Sequence, residues 1–299
     1  MKTMKSLLIS LLLLFQMTLC AEIYDCFTFF NELELLKLRF EELYDVVDHF
    51  VIVESRISFT GKEKPLYFAE NAEKFEKYKD KITHIVIDHF PGLTGDAEKD
   101  HWAREAYSRN VFLKGLTNCK KQDLIFISDL DEIPSAAIIP KIKQSLENEQ
   151  MKRSNKKGPL IYSLNMRLFM YDLNRENFSG WSGGSKATTY AVVKKLSPWG
   201  IKIYHHNLKH DLHIVENAGW HFNTMGGKEK ALYKWLLTGP LFDAEEALNE
   251  LGKNETLLQQ SYEGQVKNNT VLVPIDAGFP KYIRENLGHY RSIGWIADK

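Results

Sequence analysis

An acidic block, Asp129-Leu130-Asp131-Glu132-Ile133-Pro134, directly follows the apolar run Leu124-Ile125-Phe126-Ile127. In extended chain, residues two apart point to the same side. Asp129 and Asp131 are therefore expected to project together from the end of a buried strand. Leu130 turns inward, and the same period points Glu132 away from the pair. Two carboxylates held side by side repel each other unless they share a cation. Hard oxygen ligands suit Mg²⁺ or Mn²⁺, which retain waters and take phosphate oxygens as their remaining ligands. An ion in that place would serve a departing nucleoside diphosphate as Lewis acid and template. Pro134 keeps Ile133 out of helical geometry and stiffens the exit. The competing reading is a solvated acidic turn capping the next helix, since a bare Asp-x-Asp also arises by chance.

The elements that must position this block are read from apolar periodicity. Strands are predicted over 23–30, 49–54, 82–87 and 123–128, the last ending at Asp129. Between them, Asn31 with Glu34 reads as a capping box for a helix carrying Leu33, Leu36, Phe40 and Leu43. A loop is expected over 57–65, a polar helix over 70–79 and a longer helix over 102–116. That last helix carries Arg104, Arg109 and Asn110 toward the metal-bearing strand. An arginine there can fork onto phosphate, or it belongs to an exposed salt-bridged face. The alternation implies an α/β fold, a mostly parallel central sheet with helices on both faces. Ligands in such sheets bind beyond the carboxyl ends of the strands. The second half is less regular. It reads as a helix over 135–148, a polar linker over 149–158, strands over 159–164 and 187–194, and a Gly/Ser-rich loop over 179–186 carrying Trp181. Further helices are read over 228–237, 244–251 and 281–287.

Lys+Arg and Asp+Glu are both 39 in 299 residues, so the net charge is zero. That excludes broad electrostatic binding to nucleic acid or anionic lipid. Residues 1–21 read as a signal peptide. Lys2 and Lys5 precede an apolar run over 7–19, with cleavage expected near Ala21 or Glu22. The run is short against the roughly 20 residues of a membrane span; an uncleaved anchor is the second reading and a lipoprotein Cys20 the third. Export to a secreted, periplasmic or Golgi location follows. Cys26 and Cys119 are then either bridged or free, and sequons stand at Asn177, Asn254 and Asn268. Residues 22–299 are taken as one continuous domain.

The chain resembles glycosyltransferase family 17, the β-1,4-mannosyl-glycoprotein 4-β-N-acetylglucosaminyltransferases. The likeness runs through Glu32-Leu33-Glu34, Arg39-Phe40, Val46-Val47-Asp48, Val53-Glu54-Ser55, Asp88-His89-Phe90-Pro91, Trp102 and Arg109. It includes the 129–134 block and resumes at Ala218-Gly219-Trp220-His221 and Pro280-Lys281-Tyr282, matching least over 150–211. It implies an A-type glycosyltransferase fold, UDP-GlcNAc as donor, a divalent metal, inversion at the anomeric carbon and a mannose-containing glycan acceptor. Residues 22–148 then form the nucleotide-sugar half and 149–299 the acceptor half. Asp129 and Asp131 occupy the family's Asp-x-Asp positions. Glu54 is placed to meet uridine or ribose, or caps a helix. His221 is a third metal ligand, or a structural histidine. Trp220 stacks on a sugar or fills the core. Glu132, Asp172 and Glu216 are the candidate proton acceptors. Two other functions compete: a haloacid-dehalogenase-type phosphatase using Asp129 as nucleophile, and a secreted carbohydrate-binding protein.

Overall fold

In the computed structural model, β1 (Ile23–Phe29), β2 (His49–Ser55), β3 (Ile82–Ile87) and β4 (Leu124–Asp129) lie parallel. They belong to a seven-stranded sheet of order β10-β6-β9-β4-β1-β2-β3. Its other strands are β6 (Ile161–Leu164), β9 (Lys186–Thr189) and β10 (Leu212–Val215), with β9 antiparallel to both neighbours. The structure describes residues 21–152, 159–204, 212–227 and 269–298, with Lys230, Tyr233, Lys234, Leu237, Glu263 and Gly264. Residues 1–20, the sequons at 254 and 268, and most of the helices expected over 228–251 lie outside them.

Nearly unbroken apolar runs make β1, β2 and β4, as strands covered on both faces require. Alternate residues serve two cores. Phe27, Phe50, Ile52, Leu124 and Phe126 pack beneath α1 (Leu33–Leu43). Cys26, Val51, Val53, Ile125 and Ile127 face the opposite core, with Val111, Phe112, Leu116, Val193 and Ile201. That side is covered by α2 (Ala97–Asn110), α3 (Phe112–Gly115), α5 (Tyr190–Leu196) and α6 (Pro198–Lys202). The expected mostly parallel sheet with a helix layer on each face is the observed one.

A second sheet of order β12-β8-β7-β11-β5 stands at the carboxyl edge. It contains β5 (Glu132–Pro134), β7 (Met166–Met170), β8 (Arg175–Trp181), β11 (Gly219–Asn223) and β12 (Thr270–Leu272). α4 (Ile139–Lys152), α7 (Lys281–Glu285) and α8 (Leu287–Ser292) complete the described elements used below.

Several local expectations are corrected. No Asn31 capping box forms: the cap position is Glu32, with no side-chain cap bond. The polar helix over 70–79 is a turn at Tyr67–Glu70 followed by a 3₁₀ segment, Ala72–Lys81. The helix over 102–116 starts earlier, at Ala97, because Asp96 caps it through Lys99 N–H. The strand over 187–194 stops at Thr189 and continues as α5. Trp181 ends β8 rather than sitting in a loop. Cys26 and Cys119 are free thiols.

Candidate functional site

The carboxyl ends of three parallel strands meet in register, with Thr28 beside both Val53 and Asp129. Because β4 lies on one side of β1 and β2 on the other, the chain order reverses here. That is the switch point at which open α/β sheets leave a crevice. A cavity of about 530 Å³ opens there, lined among others by Ser55, Arg109, Asp129, Asp131, Trp181 and His221.

The acidic block builds the floor of this cavity. β4 ends at Asp129, and a turn at Leu130-Asp131 carries the chain into β5 of the second sheet. Leu130 is buried, and both aspartates line the cavity. The turn breaks the period-two pattern, so Glu132 returns to the site rather than pointing away. Its Oε2 accepts from Asp129 N–H (3.1 Å), Ser185 Oγ (3.0 Å) and Lys202 Nζ (2.8 Å), and its Oε1 from Trp181 Nε1 (2.8 Å). Gly184 is needed beside that bond, since a Cβ there would collide with Glu132 Oε1 and Trp181 Nε1.

Arg39 holds the turn from below. The fully buried guanidinium donates to the carbonyls of Asp129 (2.9 Å), Leu130 (3.0 Å) and Glu132 (3.0 Å). It also grips both oxygens of Asp25 (2.7 and 2.6 Å) and Ser128 Oγ (2.5 Å). Asp25 and Ser128 sit on the α1 face of their strands, which is where Arg39 arrives.

Each aspartate has its own cations. Asp129 Oδ1 accepts from Arg109 Nη2 at 2.5 Å and Oδ2 from Lys202 Nζ at 3.0 Å. Burial works against its ionised form, but Arg109 and Lys202 outweigh burial and bring its pKa down to about 2. Asp131 Oδ2 accepts from Lys234 Nζ at 2.6 Å, and Lys234 also pairs with Glu32 at 2.8 Å. Burial opposes ionisation of Asp131 too, yet Lys234 and His221 hold its carboxyl far below the usual range. Both groups are carboxylates at neutral pH. His221 Nε2 stands 3.6 Å from Asp131 Oδ1, its ring packs on Trp181 at 4.5 Å between centroids, and its buried Nδ1 has no hydrogen-bond partner. Among the described residues, no group of three or more His, Cys, Asp or Glu side chains is arranged to hold a metal.

Of the residues singled out in the sequence, the cavity brings together Arg109, Asp129, Asp131, Glu132 and His221. Glu54 does not line it. Its buried carboxylate accepts from Phe68 N–H (2.9 Å), Ala69 N–H (3.4 Å) and His84 Nε2 (3.1 Å), capping the Tyr67–Glu70 turn. Arg104 turns away to Phe59 O at 3.0 Å. Asp172 pairs with Arg175 at 2.7 Å. Glu216 accepts from Asn165 Nδ2 at 3.0 Å in a neighbouring cavity. Trp220 is buried in the first core, its Nε1 donating to Gly278 O. Lys202 and Lys234 were not foreseen, and no motif marks either. Arg39 carried a signal: it falls among the apolar positions of α1 that the helix buries.

The comparisons with known proteins bear on this arrangement. A family model described as glycosyltransferase family 17 matches residues 14–225. The beta-1,4-mannosyl-glycoprotein 4-beta-N-acetylglucosaminyltransferases of Homo sapiens and Rattus norvegicus are 36% identical to the chain, and that of Mus musculus 35%, each over 111 residues. The match covers 35% of this chain and 20% of each relative, so the chain spans about a fifth of the length of the curated relatives it matches. With a family match over most of its length, this chain belongs to glycosyltransferase family 17.

Proposed function

We propose that the chain is an inverting, metal-dependent N-acetylglucosaminyltransferase. It moves GlcNAc from UDP-GlcNAc to a glycan hydroxyl, with the β-mannose of an N-glycan core as the acceptor position. The observation that supports this reading is the pair of ionised carboxylates at the end of β4, facing a cavity at the switch point of a family 17 chain. An exported or secretory-pathway setting suits a glycan acceptor; no helix among the described residues is long and apolar enough to cross a membrane.

Asp129, Asp131 and His221 are the residues that would hold Mn²⁺ or Mg²⁺. The donor types suit such an ion, two carboxylates with an imidazole nitrogen 3.6 Å from one of them, but the three are not now arranged as a metal-holding group, so binding would require them to converge. When bound, the ion would supply positive charge to the diphosphate as it leaves. Lys202 and Lys234 now neutralise the same carboxylates, so their ammonium groups must swing aside or share the phosphate. Arg109 stands beside Asp129 to receive a phosphate oxygen. Arg104 and Glu54 remain candidates for the nucleotide, from positions outside the cavity lining.

In the transfer, the acceptor oxygen bonds to the anomeric carbon as the bond from that carbon to the diphosphate breaks. The electron pair leaves with UDP, and the hydroxyl proton passes to a carboxylate. Glu132, Asp172 and Glu216 are the candidates. With both oxygens already engaged, Glu132 is better suited to positioning Trp181 and Lys202.

The reading is tested with purified protein, UDP-GlcNAc, Mn²⁺ and a β-mannosyl acceptor. GlcNAc should appear on the acceptor, and Asp129→Asn with Asp131→Asn should abolish it along with donor binding. Phosphate release from simple esters without sugar transfer would instead identify a phosphatase. Donor affinity unchanged in the double variant would defeat the proposal.

A further inference from the structure

A second cavity, of about 390 Å³, lies beside the first. It is walled by β7, β8 and the turn at Glu216-Asn217, and Trp181 lines both cavities. The indole is fixed: its N–H is on Glu132 at 2.8 Å and its ring packs on His221. The one lining residue the two cavities share is thus an aromatic side chain tied directly to the acidic block.

The chemistry of the second cavity differs from that of the first. Its charged side chains are Arg167, Glu176 and Glu216. Arg167 forks onto Glu176 at 2.7 and 2.8 Å, and Glu216 accepts from Asn165. Among the described lining residues, no cation is left over to attract a phosphate. Fixed amide and carboxylate groups of this kind exchange hydrogen bonds with hydroxyls. Phe178 stands on the same wall with 72% of its surface exposed, and Val271 on β12 with 41%. An apolar ring beside fixed polar groups matches a sugar, which presents a C–H face and a rim of hydroxyls.

We propose that this cavity is a subsite for the sugars flanking the acceptor position of a neutral oligosaccharide. Phe178 is the stacking platform, and Asn165 is a hydroxyl contact. The inference rests on the transfer reading above and extends it by saying which side chains, beside Trp181, would hold the sugars next to the acceptor position.

The test uses protein made in a host that does not N-glycosylate, so that Asn177 in the same wall is unmodified. Two probes are compared: a mannose-terminated N-glycan core pentasaccharide and methyl β-D-mannopyranoside. By titration calorimetry the pentasaccharide should bind at least about tenfold tighter. Phe178→Ala and Asn165→Ala should each remove most of that difference, with melting curves checking that both variants fold. Phe178 is exposed enough that its removal leaves both cores intact. In transfer assays the same preference should appear as a lower acceptor KM for the pentasaccharide, and it should collapse in Phe178→Ala. Equal affinity for the two probes, or a preference unchanged in both variants, overturns the subsite. Phe178-dependent binding without any transfer from UDP-GlcNAc would uphold the subsite and remove the transferase reading. Transfer without oligosaccharide preference would do the reverse.

Discussion

Arg39 offers the sharpest test of how the acidic block is held. Replacing it by Met leaves a side chain of similar length but no donors. The Asp25 carboxylate, 1% exposed, then loses its guanidinium partner, and three turn carbonyls lose theirs. Breaking one side of a buried ion pair costs about 3–5 kcal/mol, chiefly through the uncompensated charge left behind. For a chain of this size that lowers Tm by roughly 10 °C. A second change, Asp25→Leu, removes the orphaned charge, and replacing both members of a buried pair is often neutral. The double variant should therefore regain most of the lost stability.

Function should not return with it. Without Arg39 the carbonyls of Asp129, Leu130 and Glu132 lose the one guanidinium that ties them together, which loosens the spacing of the aspartates. A displacement of about 1 Å in such a site costs roughly 100-fold in turnover. The assay is therefore a double-mutant cycle with two readouts, urea unfolding and turnover with UDP-GlcNAc. Stability that recovers while turnover stays low assigns Arg39 to positioning. Recovery of both would show that the carbonyl contacts are incidental. Recovery of neither would show that the pair is not where the lost energy lies.

Three further outcomes are expected. On the proposed metal reading, Lys234→Ala removes an ammonium that would compete with the ion for Asp131, so Mn²⁺ should bind about tenfold tighter by calorimetry; unchanged or weaker binding would sink the competition. Glu54→Ala strips the cap from Phe68 and Ala69 and leaves Lys64, 3.9 Å away, without its counter-charge, costing about 1–3 kcal/mol of stability; a raised donor KM at unchanged Tm would instead place Glu54 on the nucleotide. Burial, reinforced by Lys202 and opposed by Glu132, lowers Lys186 to about 8. Because the unfolded chain holds that proton up to about pH 10, stability should rise with pH between about 8 and 10. Lys186→Met should flatten the rise in urea midpoints, and an unaltered slope would contradict it.

The sheet and the aspartate pair were legible because both depend on local pattern. Apolar runs at β1, β2 and β4 announce strands covered on both faces, and the carboxyl-end rule then locates Asp129. What failed was contingent on contacts distant in sequence. Glu132 was misplaced because alternation holds only while the strand continues, and a two-residue turn ends it. The 187–194 segment reads as a strand, but the chain leaves the sheet after Thr189 and packs Val193 into the second core as helix. Glu54 was visible at a strand end, whereas its partner N–H groups lie 14 and 15 residues on. Lys202 and Lys234 are single lysines whose partners lie 73 and 103 residues away. No spacing rule reaches that far.

The charges explain why the block is built as it is. Asp129, Asp131 and Glu132 come within four residues, and in a cavity that concentration of negative charge is unfavourable unless countered. Here each carboxylate has a cation from a different element: Arg109 from α2, Lys202 from α6, and Lys234 from the segment after β11. On the proposed transfer reading, these cations would also face the phosphates of a bound donor, and any that moved onto phosphate would leave its carboxylate to be countered by the proposed ion. Glu132 then has a different part from its neighbours. Fully buried, and bound to Trp181 on one oxygen and to Lys202 on the other, it joins the wall of the second cavity to the cation of the first.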